Sequence, residues 1–217
     1  MRIIVIGGSG RTGRLIVEHA LKARHAVVAT IRNPKHMAPL VKLGAETVML
    51  DLEKSGFDEI VHAMKGTDAV IFAAGSATGE GSALDRIGTR RTVAAAEKAG
   101  VKRYLSISSI GASTGMSTRG MSDEMKDYYK QKRAATALIE KSALDWTLIE
   151  PAELNDDPLT GKLTASLDAI EENRAIARAD VAAATIALID NPRSIGKAVQ
   201  LTGGKSTIAT ALKKALG

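Results

Sequence analysis

A phenol and an ammonium group stand four residues apart in the middle of the chain. Tyr128 and Lys132 lie within residues 123–142, where the alanine and leucine spacing predicts a helix. Residues four apart share one face of a helix, so the two side chains are expected to meet. A cation stabilises a phenolate, which suits such a pair to proton transfer near neutral pH. Alternatively, the two residues form, with Met125 and Tyr129, an ordinary helix face over which the lysine stem packs.

Three glycines at three-residue spacing follow the first apolar segment of the chain. Gly7, Gly10 and Gly13 come directly after the run RIIVI (2–6) and lead into a helical pattern. In this position the first glycine permits a tight turn, the second lets the backbone approach a pyrophosphate, and the third lets the helix pack closely on the sheet. The free N–H groups of the helix start, which includes Thr12, favour the negative charge. The alternative is a glycine-rich turn that holds no ligand.

The end of the second predicted strand indicates which dinucleotide the turn would hold. A carboxylate there would bind the adenosine ribose hydroxyls, whereas an arginine suits a 2′-phosphate. The strand AVVATI (26–31) has no acid at its end and is followed by the basic residues Arg32 and Lys35. Arg11, within the glycine turn, is a further cation that could reach the same phosphate. We therefore expect NADP(H) rather than NAD(H), unless Arg32 is simply a solvated cation at a strand end.

Two further strand ends are expected at the same edge of the sheet. Asp51 and Leu52 follow the third strand, where Asp51 could contact the adenine amino group. Ala74, Gly75 and Ser76 follow the fourth strand, where small residues let a cofactor lie against the backbone. Each has a plainer interpretation, since Asp51 could cap the next helix and Gly75 could serve an ordinary turn.

Short apolar segments rich in β-branched residues alternate with longer helical patterns. The apolar segments are RIIVI (2–6), AVVATI (26–31), ETVML (46–50), AVIFA (69–73), RYLSIS (103–108), WTLIE (146–150) and KAVQLT (197–202). The helical patterns cover 12–23, 34–43, 57–64, 82–99, 123–142 and 179–190. This alternation predicts an α/β fold with a doubly wound parallel sheet in three α/β/α layers. No internal repeat or linker divides the sequence, so residues 1–217 are predicted to form a single domain.

Composition narrows the classes of partner. The 217 residues are 45% apolar and carry a net charge of +6, with 30 basic and 24 acidic residues interspersed. Aromatic residues make up only 3%, too few to suggest a surface that stacks on nucleic-acid bases. There is no cysteine, and the four histidines have no ligand spacing, so no metal is expected. With no signal peptide and no membrane-length apolar run, we expect a cytoplasmic protein that binds an anionic small molecule.

Taken in order, these motifs resemble the atypical short-chain dehydrogenases/reductases. The likeness is greatest to the small NAD(P)-binding branch that includes biliverdin reductase B (flavin reductase) and bacterial NAD(P)H-binding oxidoreductases. The matching stretches are GGSGRTG (7–13), IRNP (31–34), DL (51–52), AAG (73–75), SISSIGA (106–112), YYKQKRAATALIEKSALDWTLIEPAEL (128–154), RADVAAATIALIDNP (178–192) and QLTGG (200–204). The resemblance implies a Rossmann-type fold and a pyridine nucleotide.

The resemblance also implies catalytic roles. Tyr128 would protonate a carbonyl oxygen as hydride arrives, and Lys132 would hold the nicotinamide ribose and stabilise the tyrosine anion. Ser108 or Ser109, at the end of the fifth strand, would orient the substrate oxygen.

This chain departs from the family at one position near the expected nicotinamide end. Relatives often have an arginine before the proline where this chain has Glu150 and Pro151, so a different substrate preference is expected. The segment 153–161 is short and acidic, and is expected to form only a small C-terminal lip over the cofactor. The substrate pocket should then be shallow and open.

Three functions fit these residues. The first is an NADPH-dependent reductase that transfers hydride to a small carbonyl, quinone, flavin or tetrapyrrole-like acceptor. The alternative is a non-catalytic NADP(H)-binding redox sensor that regulates a partner. An epimerase or dehydratase with a retained cofactor is less favoured, because such relatives use more chain to grip a sugar nucleotide. Nothing in the sequence favours a particular oligomeric state.

Overall fold

Strands and helices alternate in a computed structural model that describes residues 1–75, 83–170 and 174–217. The strands are β1 (Arg2–Ile6), β2 (Ala26–Ile31), β3 (Glu46–Met49), β4 (Ala69–Phe72), β5 (Arg103–Ile107), β6 (Asp145–Pro151), β7 (Leu154–Asn155), β8 (Lys162–Ser166), β9 (Ile176–Ala177) and β10 (Lys197–Thr207). The helices are α1 (Arg11–Lys22), α2 (Met37–Leu43), α3 (Phe57–Met64), α4 (Ala83–Ala99), α5 (Asp123–Glu140), α6 (Arg178–Ile189) and α7 (Ile208–Leu216). Ser76 and residue 82, which the sequence assigned to a cofactor-lining turn and a helix, lie outside the described residues.

The predicted doubly wound sheet is confirmed. Within the described ranges, eight strands pair in the order β3-β2-β1-β4-β5-β6-β10-β8. All neighbours are parallel except β8, which runs antiparallel to β10 at the edge. The order reverses direction between β1 and β4, and in such sheets ligands bind at the carboxyl ends of the strands beside this switch.

Helices cover both faces of the sheet, which explains why the central strands are apolar at consecutive positions. On β1, Ile3 and Val5 pack into a cluster that includes side chains of α1, α6 and α7. Ile4 and Ile6 point to the other face and pack with side chains of α3, α4 and α5. The three layers hold the strand ends rigidly, so the loops that follow them are fixed relative to one another.

The C-terminal third contains elements that the sequence pattern did not predict. Strands β7 and β9 have two residues each and form a separate parallel pair, too short for any periodicity. Strand β8 lies at the sheet edge and buries only one residue fully, so its sequence lacks the apolar run that would predict a strand. Strand β10 continues past the predicted end at residue 202, through a bulge, and leads into the unpredicted helix α7.

Candidate cofactor and active site

The turn between β1 and α1 has room only for glycine at two positions. Gly7 has a φ of +80°, and a Cβ there would lie 2.8 Å from the Ala74 backbone. A Cβ on Gly13 would lie 2.1 Å from the Gly7 carbonyl oxygen, a severe overlap that only glycine avoids. Gly10 precedes the helix as its N-cap and offers no side-chain cap. The glycine spacing therefore brings α1 against the strand end, as the sequence predicted.

The start of α1 is open to an anion. First-turn N–H groups of a helix have no intrahelical partner, and the helix dipole places partial positive charge there. The first turn of α1 contains no acidic side chain that would compete for these groups. The turn is further held by Thr30 of β2, whose hydroxyl accepts a hydrogen bond of 3.0 Å from the Gly7 N–H. Thr12 and Gly13 supply backbone N–H groups at this helix start.

A cavity of about 220 Å³ lies over these strand ends. It is bordered by residues from the ends of β1, β2, β3 and β4 and from the start of α4. Its lining consists of Ile6, Gly7, Ser9, Gly10, Thr30, Arg32, His36, Leu50, Asp51, Leu52, Ala73, Ala74, Gly75 and Leu84. Seven of the expected cofactor residues meet here, namely Gly7, Gly10, Arg32, Asp51, Leu52, Ala74 and Gly75. Ser9, Thr30 and His36 are additional lining residues that were not singled out in the sequence.

One end of the cavity is basic. Arg32 is exposed immediately after β2, and His36 lines the same wall. Lys35 is exposed but is not among the lining residues in the described part of the chain. Its N–H donates to the Asn33 side chain in the turn that precedes α2.

Arg11 takes a different direction from the one expected. Its guanidinium forms an ion pair of 3.3 Å with Asp156 in the segment after β7, and Arg11 is not among the cavity-lining residues. Asp156 also pairs with Arg178 at the start of α6, at 2.7 Å. Spacing in the sequence does not indicate this pair, because the acidic partner lies 145 residues away along the chain. Arg11 thus connects the glycine turn to the lip.

The lip itself, residues 153–161, is anchored on α6. Asp180 is buried and accepts hydrogen bonds from the backbone N–H groups of Thr160 and Gly161 and from the Thr160 hydroxyl. This buried carboxylate fixes the far end of the lip, while Asp156 contacts the glycine turn at the near end.

Asp51 lines the cavity and holds the turn that follows β3. Its side-chain Oδ1 accepts from the Glu53 N–H at 3.0 Å, so it caps the turn after β3. It does not cap α3, whose N-cap is Gly56. Arg91 of α4 donates to the carbonyl oxygens of Leu52 and Ser55, which fixes the same turn. Asp51 therefore lines the cavity from a well-held loop.

Lys132 is buried next to Gly75, does not itself line the cavity, and is paired with an acid. It is only 7% exposed, and its Nζ donates to Asp85 Oδ1 at 2.8 Å and to the Ile107 carbonyl at 3.4 Å. Burial is the largest influence and alone would lower the pKa of Lys132, but the Asp85 charge, the nearby Tyr128 and the hydrogen bond to Asp85 together outweigh it, so the pKa is raised and the ammonium stays charged. The sequence analysis missed Asp85, whose place in the first turn of α4 also fits an ordinary acidic helix start.

Tyr128 is half-buried beside this ion pair. The Lys132 Nζ lies 5.6 Å from the centre of the Tyr128 ring, so the predicted meeting of the two side chains is confirmed. Tyr129 is buried instead, with its ring edge-on to Tyr128 and 5.8 Å from the Arg133 guanidinium carbon. Of the two tyrosines, Tyr128 is therefore the one on the Lys132 side.

The two serines after β5 occupy different environments. Ser108 is 8% exposed, and its Oγ lies 3.5 Å from the Thr136 hydroxyl. It lines, with Lys132 and Asp85, a crevice that has no room for a water molecule. Ser109 is half-buried, and its carbonyl accepts from the Ala112 N–H. Neither serine borders the larger cavity, and neither do Tyr128 and Lys132, so none of the four expected catalytic residues is among its described lining residues.

Glu150 is also placed differently from the expectation. It is completely buried on β6, does not line the cavity, and accepts hydrogen bonds from the N–H and hydroxyl of Ser113 at 2.8 and 2.9 Å. Burial raises the pKa of Glu150 to about 7, although the hydrogen bonds from Ser113 oppose the rise. Glu150 thus holds the loop that follows Ser108 and Ser109 rather than facing a ligand.

Among residues 1–75, 83–170 and 174–217, no group of three or more histidine, aspartate or glutamate side chains is arranged to hold a metal ion. None of the helices in the same ranges combines the length and apolar character that a membrane span requires.

Comparison with known proteins agrees with this geometry. Residues 7–192 match a family described as NAD(P)H-binding. The chain is 36% identical to the "uncharacterized sugar epimerase YhfK" of Bacillus subtilis, over 99% of this chain and 100% of that protein. The structure of a putative NAD-dependent epimerase/dehydratase from Bacillus halodurans superposes with a TM-score of 0.88, 32% identity and 99% coverage of both chains. That of the oxidoreductase ylbE from Lactococcus lactis gives 0.83, with 27% identity and coverage of 100% and 97%. The chain therefore belongs to the NAD(P)H-binding family of Rossmann-fold proteins.

Proposed function

We propose that the protein is an NADPH-dependent reductase that transfers hydride to a small carbonyl, quinone, flavin or tetrapyrrole-like acceptor. The observation that carries the proposal is the cavity itself, which runs from exposed Arg32 past the glycine turn to Gly75, beside the buried Lys132. A bound NADPH would supply the hydride. The likeness to the oxidoreductase ylbE supports the same class of reaction.

The cofactor is held mainly by backbone and by one basic side chain. The N–H groups at the start of α1, including those of Thr12 and Gly13, bind the pyrophosphate because Gly7 and Gly13 let it approach. Arg32 pairs with the 2′-phosphate, and no carboxylate takes the place that would favour NAD(H). Asp51 contacts the adenine.

At the other end, Tyr128 and Lys132 handle the proton. Lys132 holds the nicotinamide ribose and presents a positive charge to the Tyr128 ring, 5.6 Å away. Tyr128 donates its proton to the acceptor oxygen as negative charge develops there. Ser109 is the less buried of the two candidate serines and orients that oxygen. Ser108 is buried and supports the loop that follows β5.

A redox sensor and an epimerase are the two alternative functions, and each can be distinguished from the reductase by experiment. A redox sensor would bind NADP(H) tightly without turnover, and its binding to a partner would depend on the cofactor's oxidation state. An epimerase, as the name of the Bacillus subtilis relative suggests for that protein, would retain its nucleotide and need no external acceptor. The lip of residues 153–161 is small for gripping a sugar nucleotide, which favours the reductase.

Paired variants test the two ends of the site separately. Arg32→Ala is expected to weaken NADPH binding by about tenfold or more and to leave NADH binding nearly unchanged, because a charge-assisted hydrogen bond to phosphate is lost. Lys35→Ala, one turn away, is the control. Tyr128→Phe is expected to slow carbonyl reduction with little change in NADPH affinity, whereas Tyr129→Phe should not. If Arg32→Ala weakens both nucleotides equally, the preference for NADPH is wrong.

A further inference from the structure

Asp85 carries a buried oxygen that no group among the described residues satisfies. The side chain is 2% exposed, and its Oδ1 accepts from the Lys132 ammonium at 2.8 Å. The other oxygen, Oδ2, is buried and has no hydrogen-bond partner in the described ranges. Buried polar atoms in folded proteins nearly always have a partner, so an unsatisfied carboxylate oxygen calls for an explanation.

Neither a water in the adjoining crevice nor a gain in stability accounts for this oxygen. The crevice that Asp85 shares with Thr89 and Lys132 has no room for a water molecule, so water cannot supply the missing partner from that side. A buried ion pair generally stabilises a protein no more than a well-packed apolar pair does. An unpaired carboxylate oxygen lowers the stability further. A ligand that supplies the missing hydrogen bond therefore explains better why an aspartate stands at this position.

The ion pair lies directly behind the cavity wall. Gly75 lines the cavity, and a Cβ on Gly75 would lie 3.4 Å from Asp85 Oδ1 and 3.8 Å from Lys132 Nζ. The free oxygen, Oδ2, would lie 4.0 Å from the same Cβ, so the bare Gly75 backbone leaves the pair close to the cavity. Arg32, after the neighbouring strand β2, lines the same cavity. A dinucleotide with its 2′-phosphate at Arg32 would thus bring its nicotinamide half towards Asp85.

We propose that Asp85 is a further cofactor-binding residue whose free oxygen accepts a hydrogen bond from a hydroxyl of the nicotinamide-side ribose. Its other oxygen holds the Lys132 ammonium beside the same sugar. A carboxylate is a strong acceptor for a sugar hydroxyl, as in the binding of adenosine ribose by other dinucleotide sites. The inference rests on the proposed function, because it assumes that NADP(H) occupies the cavity.

Calorimetric titration with two nucleotides tests the assignment. NADP⁺ contains the nicotinamide ribose, whereas 2′,5′-ADP contains only the adenosine half with its phosphates. Asp85→Asn should weaken the binding of NADP⁺ by about tenfold or more. It should change the affinity for 2′,5′-ADP by less than about twofold. Thr89→Val, which alters a neighbouring buried hydroxyl on the same helix, should affect neither ligand.

The outcomes separate this inference from the proposed function. Equal NADP⁺ affinity of wild type and Asp85→Asn, or equal losses for both ligands, would overturn the role of Asp85. If wild type binds neither nucleotide, the proposed function fails as well. Should Asp85→Asn not fold because Lys132 loses its partner, Lys132→Gln is compared with the double variant Asp85→Asn/Lys132→Gln. The double variant must then bind NADP⁺ more weakly than Lys132→Gln, and equal affinities would refute the proposal.

Discussion

Glu150 should make the stability of this protein fall as the pH rises through neutrality. The side chain is completely buried, and burial raises its pKa from the ordinary value of 4.5 to about 7. The folded protein therefore holds this proton more tightly than the unfolded chain does. Because the unfolded state loses the proton first, the free energy of unfolding decreases between pH 4.5 and 7 and levels off above.

The size of the effect follows from the two pKa values. Ionisation at 4.5 in the unfolded state and at about 7 in the folded state costs about 2.5 kcal/mol of stability between pH 5 and pH 8. Glu150→Gln removes this titration, while its amide oxygen can still accept from the Ser113 N–H. Between pH 5 and pH 8, the free energy of unfolding of the variant should rise by that amount relative to wild type. This corresponds to a relative gain of about 5–10 °C in Tm.

Urea unfolding of wild type and Glu150→Gln at matched pH values between 5 and 8 measures the effect. Taking the difference at each pH cancels the other titrating groups, which both proteins share. Glu124→Gln, an exposed glutamate near the start of α5, is the control and should show no pH-dependent difference. A Glu150→Gln difference that is constant with pH, or that favours wild type increasingly at pH 8, would refute the reasoning.

Three further changes probe other parts of the molecule. Gly13→Ala should destabilise the fold by about 1–3 kcal/mol and abolish NADPH binding in titrations, because the new Cβ would meet the Gly7 carbonyl oxygen. Gly56→Ala, where the new Cβ would meet only Glu59 Cγ at 4.0 Å, should leave NADPH binding unchanged. Arg103→Met should cost about 3 kcal/mol or more in urea unfolding, since this buried guanidinium donates to the carbonyls of Leu188 and Ile189 that end α6. Asp180→Asn should loosen the lip, raising the KM for the acceptor more than that for NADPH and exposing residues 153–161 to limited proteolysis.

The cofactor end of the site could be predicted because its signals are local in sequence. Gly7 and Gly13 are six residues apart, and their spacing reflects one steric contact between a helix and the strand before it. Arg32 directly follows its strand, so the strand pattern was enough to place it. Tyr128 and Lys132 meet because helical periodicity alone brings them together.

The remainder depends on contacts between distant segments, which spacing does not encode. Asp85 reaches Lys132 across 47 residues, and Glu150 reaches Ser113 across 37. A single sequence gives no means of pairing such residues, so Asp85 was not singled out and Glu150 was considered only as a departure from relatives that could alter substrate preference. Arg11 was assigned to the phosphate for the same reason, although its partner Asp156 lies on the lip.

The central claim is tested most directly by following NADPH consumption through the absorbance of the reduced nicotinamide. The protein is mixed with NADPH or NADH and with flavins, quinones, aldehydes and biliverdin-like acceptors in turn. The account predicts oxidation that requires an acceptor and is faster with NADPH than with NADH. Confirmed nucleotide binding without oxidation by any acceptor would contradict the reductase and favour a sensor, and faster oxidation of NADH would contradict the role of Arg32.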